Sequence, residues 1–267
     1  MGEVRFVARA PAGGLARWVE SVWAFEGVQA HAGDWVLPSA KMQLLFNLEA
    51  RPEGMAPTLV CGLRDRPVWV EAAAMRRIAG AVLTPVGAGA FMRVPVEETL
   101  GLDVDLADLW GRTLASVARE RMLEAAWASA GLGGVLDGVE AVLREAVRPD
   151  FSPPDYLRGA VRALAGGTRV AEVIERGGVA RSRLRRDFER YVGGAPKLTA
   201  SLHRFRRALV RLSTSVEDGA TSSLAEIALD CGYVDQAHMS HELRRFSGMT
   251  PAAYARLALR FPGHVAG

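Results

Sequence analysis

Apolar residues alternate or cluster in short runs over roughly the first third of the chain. Beyond about residue 87 they recur every three or four positions. Trp18–Phe25 carries Val19, Val22, Trp23 and Phe25 in a pattern that predicts a strand. Met42–Leu48 is a mostly apolar run, which suits a buried strand. Leu59–Leu63, Val68–Val70 and Ile78–Leu83 are shorter strand candidates, punctuated by Pro38, Pro52, Pro57, Pro67 and Pro85. Together they predict a barrel- or sandwich-like β-rich unit. The later pattern predicts short helices at Ala88–Arg93 and Leu106–Trp110. Two amphipathic helices follow, Arg112–Ala128 and Val135–Val147, joined around Gly131–Gly134. Pro149–Pro154 reads as a linker, because Pro153 and Pro154 in succession cannot continue a helix. Everything after it reads as helix. The class is therefore α+β, divided into a β-rich unit (1–111), a helical connector and linker (112–154) and an all-α unit (155–267).

The all-α unit repeats itself at an offset of 55 residues. Leu184, Phe188, Tyr191, Gly193 and Pro196 match Met239, Leu243, Phe246, Gly248 and Pro251; upstream, Thr168, Val173, Gly177 and Val179 match Ser223, Ala228, Gly232 and Val234. Each copy reads as a short helix, a glycine turn and a second helix. Two helix-turn-helix units in one chain point to duplex DNA.

In the second copy, Ser223 and Glu226 fit a capping box, Cys231-Gly232 closes the first helix and Asp235 caps the next. On that next helix Met239, Leu243 and Phe246 fall in one narrow arc. Ala237, Ser240, His241, Arg244 and Arg245 occupy the other side, with His238 on the flank and Gln236 at the N-terminal end. In the first copy Leu184, Phe188 and Tyr191 point inward, while Ser182, Arg185, Arg186, Glu189 and Arg190 point outward. Arginine suits bidentate contact with guanine O6 and N7, and a small Ser or Ala beside it lets the helix approach the base edges. Between the copies Leu198, Leu202, Phe205, Leu209 and Leu212 recur at 4, 3, 4 and 3 residues, marking one long helix that would fix the spacing of the two readers. The candidate DNA contacts are Ser182, Arg185, Arg186 and Arg190 on one helix and Gln236, Ala237, His238, His241, Arg244 and Arg245 on the other, with Gln236, His238 and His241 reading bases there. Arg181, Arg204, Arg206, Arg207 and Ser223 are candidate phosphate contacts that would set the register.

Charge sharpens this picture. Residues 155–267 hold 18 Arg/Lys against 11 Asp/Glu, whereas residues 1–154 hold 15 against 19. A basic C-terminal half favours a polyanion through counterion release. The two cysteines, Cys61 and Cys231, form neither a disulfide framework nor a zinc pattern, which fits a reducing cytoplasm. No run of 18 apolar residues predicts a membrane span, and Glu3, Arg5 and Arg9 interrupt any apolar signal core in Met1–Ala10.

Gly232-Tyr-Val-Asp-Gln-Ala-His238 and Arg244-Arg-Phe-Ser-Gly-Met-Thr-Pro251 resemble the signature of the AraC/XylS transcription regulators, and Gly178–Phe188 fits its first unit. The resemblance covers about 155–258. It implies a seven-helix DNA-binding domain joined to a variable sensing or dimerisation domain. It places base contacts at Ser182, Arg185 and Arg186, and at Gln236, Ala237 and His241. Ala180 stands where the family carries a Ser cap, His241 where it carries Arg, and Met239 and Leu243 where it carries Phe. Leu37-Pro38, Leu44–Leu48, Gly80–Gly87 and Asp105–Gly111 resemble an uncharacterised β-rich domain found on some AraC-type regulators.

The reading is thus a cytoplasmic one-component transcription regulator, activator or repressor, and not an enzyme. Duplex DNA is the partner; RNA polymerase, a small-molecule effector and a second copy are further candidates. The alternative makes a ligand-binding or enzymatic first half the main activity. An aromatic effector pocket would use Trp23, Trp35 and Trp69, against a default in which the tryptophans fill a β core. Glu97-Glu98 and the Asp103/Asp105 pair read as a solvated turn. No cofactor or metal is expected: His238 and His241 have no third ligand nearby, and His31 alone among histidines precedes residue 203.

Overall fold

The computed structural model describes residues 4–28, 32–49, 55–128, 131–217 and 223–260; His31 and Pro52 lie outside them. Eight strands come first: β1 (Arg5–Arg9), β2 (Val19–Glu26), β3 (Gly33–Val36), β4 (Gln43–Asn47), β5 (Thr58–Cys61), β6 (Val68–Glu71), β7 (Arg77–Leu83) and β8 (Asp103–Asp105). Six form an antiparallel sheet in the order β1-β2-β7-β4-β5-β8, while β3 and β6 pair as a separate ribbon. The period of two along each strand gives the large sheet two different faces. Val22, Ala24, Leu44, Phe46, Val60, Ala79 and Ala81 are buried in the main core. Their sequence neighbours Trp23, Gln43, Leu45, Leu59, Cys61 and Ile78 face the other way and line a cavity roofed by the ribbon.

Five predicted strands are present with small shifts at their ends. β1, β3 and β8 went unread: β1 is an exposed edge strand with polar ends, and the other two are only four and three residues long. The acidic pair expected in a solvated turn is ordered instead. Asp103 pairs with Arg64 across the sheet. Asp105 accepts from the Ala107 amide at 2.9 Å and from the Thr58 hydroxyl at 3.0 Å, capping the next helix.

Helices α1 (Leu106–Trp110), α2 (Arg112–Ala128) and α3 (Leu132–Ala146) follow, and α3 lies against β1, β2 and β7. Gly133 and Gly134 sit inside the first turn of α3 and not in a joining loop. The helix expected at Ala88–Arg93 is a single 3-10 turn, Ala88–Ala90. Its next carbonyls are taken by tertiary donors: Ala90 by the Arg148 amide (2.8 Å), Phe91 by the Trp110 indole (2.7 Å) and Met92 by the Arg148 guanidinium (3.0 Å). Pro95 has no amide with which to compete.

Further helices follow among the described residues: α4 (Asp155–Ala165), α5 (Val170–Gly177), α6 (Arg181–Val192), α7 (Pro196–Glu217), α8 (Leu224–Asp230), α9 (Gln236–Ser247) and α10 (Pro251–Arg260). One buried cluster runs from the sheet through α1–α3 into α4, α5 and α6. A second joins α7 to α8, α9 and α10, and includes Ala40 from the segment before β4. The Pro149–Pro154 stretch has no regular structure, yet it is packed. Phe151 lies 5.2 Å from the Trp18 ring and 5.9 Å from Tyr191, and a Cβ on Gly89 would meet it at 2.5 Å.

Candidate nucleic-acid interface

The second reading helix is built as the repeat requires, and the first departs from it. In the second unit the Ser223 hydroxyl accepts from the Glu226 amide at 3.2 Å, and the Glu226 carboxylate accepts from the Ser223 amide at 2.8 Å. Gly232 takes φ +85°, and the Asp235 carboxylate accepts from the His238 amide at 2.7 Å to start α9. In the first unit α6 begins at Ala180 without a side-chain cap. The turn also departs from the constant offset. The left-handed glycine is Gly178 (φ +59°), not Gly177, so α5 runs one residue longer before its turn than α8 does.

The outward arcs appear where the spacing puts them. On α6, Arg181, Ser182, Arg185, Arg186 and Arg190 are exposed over buried Leu184, Phe188 and Val192, with Tyr191 half-buried. On α9, Gln236, Ala237, His241, Arg244 and Arg245 are exposed over buried Met239, Leu243 and Phe246. The arginines are not equivalent. Arg185 Nε donates to Glu189 at 2.8 Å, whereas among the described residues Arg186 has no carboxylate within 4.0 Å. His238 turns inward: its ring meets Tyr233 edge-on at 5.2 Å, and its Nε2 lies 3.9 Å from Glu242.

Two expected phosphate contacts are occupied inside the protein. Arg204 donates to Glu242 from Nε (3.2 Å) and Nη2 (2.6 Å), donates to the Ser201 hydroxyl (3.2 Å) and stacks 4.9 Å over Tyr233. Arg207 donates to the carbonyls of Ala165 (2.5 Å) and Cys231 (3.2 Å), so one guanidinium closes the C-terminal ends of both α4 and α8. Arg206 is half-buried and has a partner, while Arg181 and Ser223 remain at the surface.

Glu242 itself was missed, although the repeat points to it. Its counterpart one repeat earlier is Asp187, which accepts from the Tyr156 hydroxyl of α4. In both units the acid on the inner flank of the reading helix ties it to the helix that precedes the whole unit, α4 in the first and α7 in the second. His203 of α7 is half-buried with an unpartnered Nε2 among the described residues; burial, with Arg207 and Lys41 nearby, lowers its pKa.

The two reading helices present the same flank to the N-terminal half. Arg190 lines a cleft with Arg93, Val96, Arg148 and Phe151. Its repeat equivalent, Arg245, pairs with Asp65 at 3.0 Å. A Cβ on Gly193, which holds φ +91° at the end of α6, would sit 2.8 Å from a Val96 methyl.

The cavity under the ribbon has a volume of about 670 Å³. Its walls are mostly apolar: Trp23, Leu45, Met55, Leu59, Met75 and Ile78. Gln43, Arg64 and Asp103 gather at one end, and Lys41, paired with Glu20 at 2.6 Å, stands at the rim. Trp69 lines the cavity and meets Trp35 edge-on at 5.5 Å. These two tryptophans are 44% and 54% exposed, so they do not fill a β core as the default reading had it. Burial beside Asp103 pushes the Cys61 thiol pKa up, leaving it an unreactive wall.

Two linked helix-turn-helix units on a long spacing helix, behind a β-rich half with a cavity, define the class of two-domain DNA-binding regulators. Comparison with protein families agrees. Residues 173–257 match a helix-turn-helix domain, and residues 8–105 match a domain of unknown function, DUF6597. The chain carries a helix-turn-helix domain of the AraC type at its C-terminus and a DUF6597 domain before it. No curated protein matches the sequence. Among solved structures, the apo form of a ToxT point variant from Vibrio cholerae strain SCE256 is similar over 95% of this chain and 97% of that one, at 10% identity and a TM-score of 0.41. A 1.65 Å structure of Vibrio cholerae ToxT covers 96% and 98%, at 10% identity and a TM-score of 0.40. ToxT from Vibrio cholerae O395 bound to (E)-4-(8-methylnaphthalen-1-yl)but-3-enoic acid covers 96% and 99%, at 11% identity and a TM-score of 0.39.

Proposed function

We propose that this DNA-binding transcription regulator reads two adjacent major-groove segments with α6 and α9, under control of a small molecule held in the N-terminal cavity. Ser182, Arg185 and Arg186 read one segment, and Gln236, Ala237 and His241 read the other. Arg181, Ser223 and Arg244 lie near phosphates. Arg204 and Arg207 keep the two units in register from inside the protein. The observation that carries this reading is the pair of outward arcs, whose equivalent flanks, at Arg190 and Arg245, both turn to the N-terminal half. Both arcs therefore meet the same body along an equivalent edge. Arg186 is the strongest base reader because its guanidinium needs to leave no ion pair before docking.

The effector is an apolar molecule with one hydrogen-bonding group directed to Gln43, Arg64 and Asp103. Pockets of roughly 300–1,000 Å³ with mostly apolar walls and a few polar groups take ligands of that kind. Among the described residues no three His, Cys, Asp or Glu side chains group as metal ligands. Among them, too, no helix is long and apolar enough to cross a membrane. Selection of duplexes from a random pool by the full chain tests the assignment. Arg186→Ala and His241→Ala should each relax preference at different base pairs by ~1–3 kcal/mol. Unchanged preferences in both variants remove the base-reading roles.

A further inference from the structure

The cavity and the contacts with both helix-turn-helix units are made by the same two short segments. In the first, Leu37, Pro38, Ser39 and Lys41 line the cavity, whereas Ala40 is buried in the cluster around α7 and α9. Met42, one step further, approaches Gly193, where an added Cβ would lie 3.6 Å from its sulfur. In the second segment, Cys61, Gly62 and Arg64 line the cavity. Leu63 points the other way, 3.4 Å from a Cβ placed on Gly194, and Asp65 pairs with Arg245 of α9. Within each segment neighbouring residues serve the cavity and the helical unit, so a displacement of the segment is felt on both sides.

Arg245 belongs to the exposed arc of α9, and Asp65 both neutralises it and sets a carboxylate beside a surface that has to approach phosphates. Resting on the effector reading of the cavity, we propose that the Asp65–Arg245 pair is an autoinhibitory clamp. A molecule entering the cavity pushes the 37–41 and 61–64 segments apart, and Asp65 withdraws from the recognition helix. Arg245 then becomes a phosphate contact, and the second unit docks. The first unit keeps a separate contact with the N-terminal half, between Gly193 and Val96.

Full-length protein and a duplex selected from a random pool suffice to test this. Asp65→Asn should tighten binding by about two- to five-fold at low salt, the range of a partly exposed ion pair. It should also steepen the slope of log K against log salt by about 0.9, the signature of one added phosphate contact. Leu45→Trp, which fills the cavity from its sheet side, should reproduce both changes, and Asp65→Asn combined with Leu45→Trp should add little beyond either. Ala56→Phe serves in place of Leu45→Trp should the latter unfold. Unchanged or weakened binding in Asp65→Asn overturns the clamp. Tightening in Asp65→Asn without any effect of a folded cavity-filled variant overturns the coupling. The effector reading is judged separately with anilinonaphthalene sulfonate as probe: saturable binding to the parent that is lost in Leu45→Trp supports it. No such binding removes that reading, and with it the role of the cavity in opening the clamp, whatever the DNA results.

Discussion

The Arg204–Glu242 pair yields the sharpest energetic expectation. It joins the spacing helix α7 to the second reading helix α9 through two charge-assisted hydrogen bonds. The side chains are 21% and 10% exposed, so both charges are largely removed from water. Breaking a buried pair by deleting one partner costs ~3–5 kcal/mol, because the other charge stays behind unpaired. Arg204 keeps the Ser201 hydroxyl at 3.2 Å and the Tyr233 ring at 4.9 Å, and it retains some solvent. The expected cost of Glu242→Ala is therefore about 2–3 kcal/mol. Replacing both partners, as Arg204→Met with Glu242→Leu, removes the stranded charge and should return to within about 1 kcal/mol of the parent. Amide hydrogen exchange over 236–247 is the assay that isolates α9. Where reclosing is faster than chemical exchange, Glu242→Ala should speed exchange by about 30- to 150-fold at tenfold per 1.4 kcal/mol, and the double variant should restore most of the protection. Parental exchange in Glu242→Ala, or a double variant no better protected than the single, would refute the idea that this pair holds the helix.

Three smaller effects follow from the same geometry. Ala180→Ser supplies the cap that α6 lacks and should raise stability by about 0.5–1 kcal/mol, seen as a higher melting temperature; an unchanged melt would mean that the α6 amides are already satisfied. Gly193→Ala forces a side chain into φ +91° and toward the Val96 methyl, at a cost of about 1–3 kcal/mol in urea titration. Combining it with Val96→Ala should recover only the steric part. The depressed pKa of His203 means that the unfolded chain takes up the proton first. Stability should hold above about pH 6.5 and fall as the pH drops through that value, and His203→Gln should remove this part of the acid loss.

The parts of this molecule that obey a local rule were legible in its sequence. Periodicity located α1 and α2 and the buried line of α7, and the caps at Ser223 and Asp235 were readable as residue types at fixed spacings. What escaped depends on distant partners. The 3-10 turn at Ala88–Ala90 stops because Arg148 and Trp110, far along the chain, claim the carbonyls. β1 carries too few buried residues to show a pattern, and its place is fixed by Arg9 donating to the buried Glu140 carboxylate of α3 at 2.8 Å. At the interface, exposure of the outward arcs followed from helical periodicity. The inward commitments of Arg204, Arg207 and His238 did not, because an arginine on a helix flank reads the same whether it meets a phosphate or a buried glutamate. The Asp65–Arg245 contact could not have been anticipated, since no local pattern relates the β5–β6 connection to α9.

Hydroxyl-radical footprinting of the full chain on a selected duplex examines the paired-reader idea most directly. Two protected patches are expected on one face of the duplex, about one helical turn (roughly 34 Å) apart. Arg186→Ala should weaken one patch and His241→Ala the other. A single patch, patches on opposite faces, or both substitutions acting on the same patch would contradict the account.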